Sequence, residues 1–219
     1  MGERRGVATT RAARAGTLAT AAEIRKLYDA WAPTYDDDLA GPAGDDYPLP
    51  GIVGDVVARL ADPTTDVLDA ACGTGLVGAA LADHGFRSVD GLDLSPRMLD
   101  RARRHGVYQD LGPADLSQRL PRAGDELDVV TCVNGFEPGH LPRSALAEFA
   151  RVVRRGGHVV LTVGTQRRAE IERYTQQLAR RRVVRVSESS EAPLHPSTGE
   201  NHLVVVLEIV ASSQARGPR

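Results

Sequence analysis

The sequence predicts an α/β fold: a doubly wound, mainly parallel sheet carried by one domain. Three observations lead there. Strand-like and helix-like runs alternate between residues 67 and 163, which calls for right-handed crossovers onto one sheet. A glycine-rich turn ends the first of these strands. The chain has 219 residues, 42% of them hydrophobic, enough apolar material for one sizeable core and little for a second.

The elements follow in order. Residues 1–19 carry Arg4, Arg5, Arg11 and Arg14 among Ala, Thr and Gly, without the apolar block of a secretory signal. They read as a disordered leader, with an organelle-targeting segment as the alternative. Thr20 and Glu23 form a capping box, and Ile24, Leu27 and Trp31 follow at helical spacing, so a helix starts at 20 and stops before Pro33. A loop rich in Gly, Pro and Asp is expected over 36–50, then a helix burying Ile52, Val53, Val56, Val57 and Leu60.

Strands are expected at 67–72, 89–93, 107–108, 127–133 and 158–163. Between them lie helices at 76–84, closed by Gly85, at 96–105, capped by Ser95 with Pro96 first, and at 142–153. A last helix over 167–181 precedes two strand-like runs, 183–186 and 203–210. The turn-rich segment 187–201 joins these runs, which pair antiparallel at one edge. The single domain is thus expected over 20–210, with a disordered tail at 211–219.

Charge narrows the partners. Lys and Arg number 27 against 29 Asp and Glu, a formal net charge of -2, so no global basic field exists to hold a phosphate backbone and nucleic acid is not expected as a partner. No run reaches the ~18 apolar residues of a membrane helix, so no membrane partner is expected either. Cys72 and Cys132 each sit in an apolar run, as suits reduced thiols in a cytoplasmic protein. No metal site is called for, and the chain is expected as a monomer or homodimer.

The turn Asp69-Ala-Ala-Cys-Gly73-Thr-Gly75 lies where a strand gives way to a helix, and its glycines admit a ligand close to the backbone. Two cofactors compete for it. Gly73, Gly75 and Gly78 match a dinucleotide fingerprint, with Asp93 twenty residues beyond Gly73. S-adenosylmethionine is favoured on three counts. Asp69 would repel a pyrophosphate but suits an amino acid end. Asp93 is followed by Leu94 and Met98, a ribose-binding acid beside an apolar shelf for adenine. Tyr174 lacks the lysine four residues later that short-chain reductases pair with tyrosine, and Lys26 is the only lysine of the chain.

The stretch from Val67 through Gly78 and from Asp90 through Leu99 resembles class I S-adenosylmethionine-dependent methyltransferases. Within them it is similar to the Williams–Beuren-region methyltransferase-like group. The resemblance extends over residues 28–163, including Tyr28-Asp-Ala-Trp-Ala-Pro-Thr-Tyr35-Asp and Phe136-Glu-Pro-Gly-His140. It implies a Rossmann-like methyltransferase fold, a seven-stranded sheet with the last strand inserted antiparallel, in keeping with the edge hairpin. It implies that Asp69, Gly73 and Gly75 line the methionine end, Asp93 binds the ribose hydroxyls, Leu94 and Met98 flank adenine, and Asp115 and Leu116 meet its edge. Cys72, Thr74 and Val133 complete the cofactor positions, with Tyr28 and Trp31 as a lid. Two departures, Glu137 where similar sequences often carry His and Gly164-Thr165 where Arg is common, keep the substrate from being carried over.

Ligands of open α/β sheets bind at the carboxyl ends of the strands, near the switch point. The substrate is therefore expected among Trp31, Tyr35, Asn134, Phe136, His140 and Thr165, and it is expected to be a small molecule. Methyl transfer is a displacement in which alignment supplies much of the acceleration. His140 is the candidate base, with Glu137 as the other choice. Three other readings stay open: the same cofactor in a cyclisation or rearrangement, a non-catalytic partner protein, and a nicotinamide-dependent reductase.

Overall fold

The computed structural model describes residue 11 and residues 14–18, 20–40 and 46–211. Most of the expected leader 1–19 and all but the first residue of the expected tail 211–219 lie outside the described residues. Within 14–18, Ala15 is buried. Its carbonyl lies where a side chain on Gly139 would stand.

Helix α1 (Ala21–Trp31) begins at the expected capping box, with Thr20 accepting from the Glu23 N–H and the Glu23 carboxylate accepting from the Thr20 N–H. The loop expected at 36–50 is corrected in part. Helix α2 (Tyr35–Ala40) forms because Asp36, Asp37 and Asp38 fill its first turn, where carboxylates suit the positive helix end. The Trp31 indole N–H donates to Asp38 at 2.8 Å and fixes α2 against α1. Helix α3 (Leu49–Leu60) starts three residues earlier than expected, with Pro50 in its first turn.

The sheet has seven strands: β1 (Val67–Ala70), β2 (Val89–Asp93), β3 (Asp110–Pro113), β4 (Leu127–Cys132), β5 (Val153–Val163), β6 (Val184–His195) and β7 (Glu200–Ile209). Their order is β3-β2-β1-β4-β5-β7-β6. Six strands run in one direction and β7 inserts antiparallel between β5 and β6. β1 is buried at every position, as a central strand covered on both faces must be. Helices α3 and α4 (Leu76–Asp83) cover one face through Val53, Val57, Val77 and Leu81. Helices α6 (Ala145–Val152) and α7 (Arg168–Arg180) cover the other through Leu146, Phe149, Ile171 and Leu178. Helix α5 (Pro96–Ala102) follows β2, capped by Ser95 as expected.

Three expectations change. The third strand lies at 110–113 rather than 107–108, because Tyr108 is turned inward and its hydroxyl donates to Asp69 at 2.7 Å. Helix α6 begins at 145 rather than 142, since residues 142–147 close as three-residue turns. The segment 187–201 is mostly strand: β6 runs on to His195, burying Ala192 and Leu194, and only 196–199 make the turn. Its alternating Ser and Glu residues mark a half-solvated edge strand.

Gly78 shows how tightly the turn is packed. A Cβ there would lie 2.3 Å from Cζ of Tyr108. Gly78→Ala should displace that ring and its bond to Asp69, costing about 1–3 kcal/mol from overpacking alone. A urea midpoint unchanged from the parent would contradict this packing.

Candidate active site

The strand order reverses between β1 and β4, and the crevice opens at the carboxyl ends of β1, β2 and β4. Two cavities meet there. The first, about 240 Å³, is lined by Gly73, Asp93, Leu94, Met98, Leu116 and Val133, with Tyr28 and His140. The second, about 410 Å³, is lined by Trp31, Glu137, Gln166, His195, Glu200 and His202 among others. Tyr28, Tyr35, Asn134 and His140 line both.

Backbone geometry marks this crevice. Ala71 and Asn134, which follow β1 and β4, hold φ of 59° and 55°, and both line the first cavity. Asn tolerates the left-handed region, whereas Ala there is strained, as is common where a site over-determines its backbone. Gly73 and Gly75 hold φ of 55° and 94°. A Cβ on Gly73 would meet no atom within 4 Å, so the glycine leaves a cradle that a ligand can fill, whereas one on Gly75 would press on Ala102.

The Asp93 carboxylate ends β2 and accepts from the N–H groups of Gly73 at 2.9 Å and Ser95 at 2.8 Å. Burial pushes its carboxyl above the usual range, and these two bonds work against that rise. Its remaining lone pairs are available to hydroxyls of a ligand. Helix α1 closes the rim, with its Asp29 accepting from the Ser95 hydroxyl at 2.6 Å.

His140 stands between the cavities. Its Nδ1–H donates to the Pro138 carbonyl at 3.0 Å, which leaves Nε2 as the acceptor for the Tyr28 hydroxyl at 2.5 Å. Burial lowers its pKa, favouring the neutral ring. Glu137 is raised by burial and accepts from the Gly164 N–H at 2.9 Å, so its side chain serves the second cavity.

Other predicted residues sit elsewhere. Asp69 is 1% exposed behind the turn, its carboxylate taken by the hydroxyls of Tyr108 and Thr131. Cys72 is buried behind the cradle. Thr74 is buried too, donating to Asp36 at 2.5 Å. Gly75 begins α4. Asp115 accepts from the N–H and hydroxyl of Ser117. Two substrate positions are corrected. Phe136 is wholly buried against the edge of Phe149, and Thr165 is exposed while its neighbour Gln166 lines the second cavity. Trp31, expected as part of the cofactor lid and of the substrate site, lines the second cavity and not the first.

Sequence reasoning missed Ser117, His195, Glu200 and His202. The signal for His202 was a polar residue standing directly against the apolar run Leu203–Leu207 of β7.

Asp69 carries a prediction of its own. Desolvation lifts its carboxyl from 3.8 to about 7, against the hydroxyl bonds that lower it. A folded pKa above the unfolded one means that the protonated form is stabilised by folding. That contribution is complete below 3.8 and is lost as pH rises to about 7. Asp69→Asn should therefore gain Tm relative to the parent as pH is raised through this window. A difference that stays flat with pH would contradict the shift.

Residues 67–157 match the methyltransferase domain family. The chain is 39% identical over 143 residues to methyltransferase-like protein 27 of Homo sapiens, covering 64% of this chain and 57% of that protein. It is 34% identical over 103 residues to the ubiquinone biosynthesis O-methyltransferase of Dechloromonas aromatica (strain RCB), covering 44% and 43%. The chain thus spans about half the length of the curated relatives it matches. Two solved structures share the fold. Magnesium protoporphyrin IX methyltransferase from Synechocystis PCC 6803 with bound SAM has a TM-score of 0.66 at 19% identity, over 89% of this chain and 98% of that one. The [4+2]-cyclase SpnF has a TM-score of 0.70 at 14% identity, over 88% and 98%. The sheet order, the glycine cradle with Asp93 beside it and these relationships agree: residues 67–157 form a methyltransferase domain, carried on a fold shared with S-adenosylmethionine-binding methyltransferases.

Proposed function

We propose that this protein transfers a methyl group from S-adenosylmethionine to O, N or C of a small molecule, within a biosynthetic route. One observation carries the reading: the crevice beside Gly73 and Asp93 and a second cavity that holds Glu137, His195, Glu200 and His202 adjoin and share Tyr28, Tyr35, Asn134 and His140. Asp93 would hold the ribose, Gly73 the backbone approach, Leu94, Met98 and Leu116 the adenine, and Val133 the floor. When bound, S-adenosylmethionine supplies an electrophilic methyl carbon on a sulfonium and leaves as S-adenosylhomocysteine.

The chain's own part is alignment and proton transfer. Tyr28 and Tyr35 wall the meeting point and exclude water. An acceptor hydroxyl that displaces the Tyr28 hydroxyl from Nε2 of His140 would be placed to give its proton to that nitrogen. The ubiquinone relatives act on oxygen by name, which supports a small-molecule acceptor. Buried, unpaired Cys72 and Cys132 support a reducing, cytoplasmic setting. Among the described residues no helix is long and apolar enough to cross a membrane.

The test is to incubate the protein with methyl-labelled S-adenosylmethionine and small-molecule cell extract, followed by mass spectrometry. Labelled product together with S-adenosylhomocysteine is expected. A new product without label or S-adenosylhomocysteine would replace this reading with the non-methylating chemistry that SpnF represents on the same fold.

A further inference from the structure

The second cavity has an unusual polar inventory. His202 on β7 is 4% exposed, and its Nδ1 is buried with no hydrogen-bond partner. The nearest carboxylate oxygen, Oε1 of Glu137, is 3.8 Å away, too far for a hydrogen bond. Burial and the neighbouring His195 push the His202 pKa down to about 4, so the ring is uncharged at neutral pH. Nδ1 makes no hydrogen bond in either tautomer, and in the one protonated at Nε2 it presents a lone pair toward the Glu137 carboxylate. A buried polar atom left without a partner is unfavourable, and a ligand carrying N–H donors would relieve it.

The rest of the wall agrees. Glu200 adds a second carboxylate, and no lysine or arginine lines the cavity among the described residues. Arg167 does not line the cavity: it donates to the Glu137 carbonyl at 3.5 Å and to Glu170 at 2.8 Å, and its charge acts on the Glu137 carboxylate from outside the wall. Tyr28, Trp31 and Tyr35 form the remaining side, with Trp31 and Tyr35 edge to face at 4.8 Å. Arg11 lies over the Trp31 ring, 5.8 Å from its centroid, and is paired with Asp38, so the attraction for a positive charge comes from Glu137 and Glu200 beside the rings of Tyr28 and Tyr35.

We propose that the acceptor carries a cationic amine, seated between the Glu137 carboxylate and Nδ1 of His202 with its hydrocarbon part against Trp31 and Tyr35. The proposal rests on the reading of the second cavity as the acceptor pocket. It excludes acceptors whose polar group is a carboxylate or phosphate, and it concerns the group that is recognised, whichever atom is methylated.

Trp31 is the only tryptophan of the chain and lines this cavity, so its fluorescence reports occupancy. Three probes with one ring should be titrated into the full chain, with and without S-adenosylhomocysteine: 2-phenylethylamine, 2-phenylethanol and 3-phenylpropionate. The amine is expected to bind about tenfold or more tighter than the carboxylate, with the alcohol between them. Glu137→Gln, which keeps an oxygen for the Gly164 N–H, should remove most of that preference. Equal or tighter binding of the carboxylate, no binding of the amine, or an unchanged preference in Glu137→Gln would each overturn the proposal. Failure of the methyltransferase reading would show separately, as failure of the parent to bind S-adenosylhomocysteine. The probe ranking without that ligand would still decide the amine site.

Discussion

His140→Ala is expected to lower kcat by about 10²–10⁴-fold while leaving cofactor affinity nearly unchanged. The asymmetry follows from position. His140 lines both cavities, but its ring is held by Pro138 and Tyr28 and makes no bond to Asp93 or the glycine turn. The pH profile provides a second reading. A base must be neutral to accept a proton, so activity falls as His140 protonates. Desolvation lowers its pKa from 6.5, which moves the acidic limb below that value, lower than sequence alone would place it. The mutant should lack this limb. Full turnover with the parent's pH profile would leave His140 as a structural residue and alignment as the whole of catalysis.

Asp93→Ala should weaken S-adenosylhomocysteine binding by roughly 1.5–3 kcal/mol or more, through loss of charge-assisted bonds to two ribose hydroxyls. The carboxylate also accepts from Gly73 and Ser95, so its removal loosens the glycine turn. Asp93→Asn separates the two effects. It keeps one oxygen for a backbone N–H but loses the charge, and an intermediate loss is expected by calorimetry. Equal affinity in parent and both variants would remove the ribose assignment.

The contrast between these residues and the misplaced ones shows what sequence can reach. Asp93, Leu94, Met98 and the Gly73 turn lie within single strand-turn-helix units, where local spacing determines which groups face the crevice. Phe136 was expected at the site because it follows the fourth strand, and Asp69 because it precedes the glycine turn and suits an amino acid end, yet each turns into the core: the ring toward Phe149, the carboxylate toward Tyr108 and Thr131. Proximity along the chain does not say which way a side chain leaves a turn. The second cavity was hidden for another reason. His195, Glu200 and His202 come from the β6–β7 hairpin, and reading 187–201 as a loop removed the ladder that brings them beside Glu137. Nothing local in Ser, Glu and Pro residues announces a strand whose pairing partner lies beyond its own turn.

The central claim is that the crevice beside Asp93 is built for S-adenosylmethionine, and calorimetric titration of the full chain tests it most directly. The account predicts stoichiometric binding of S-adenosylhomocysteine, weakened in Asp93→Ala, and no heat of binding with NAD or NADP. Saturable binding of a nicotinamide dinucleotide without binding of S-adenosylhomocysteine would contradict it.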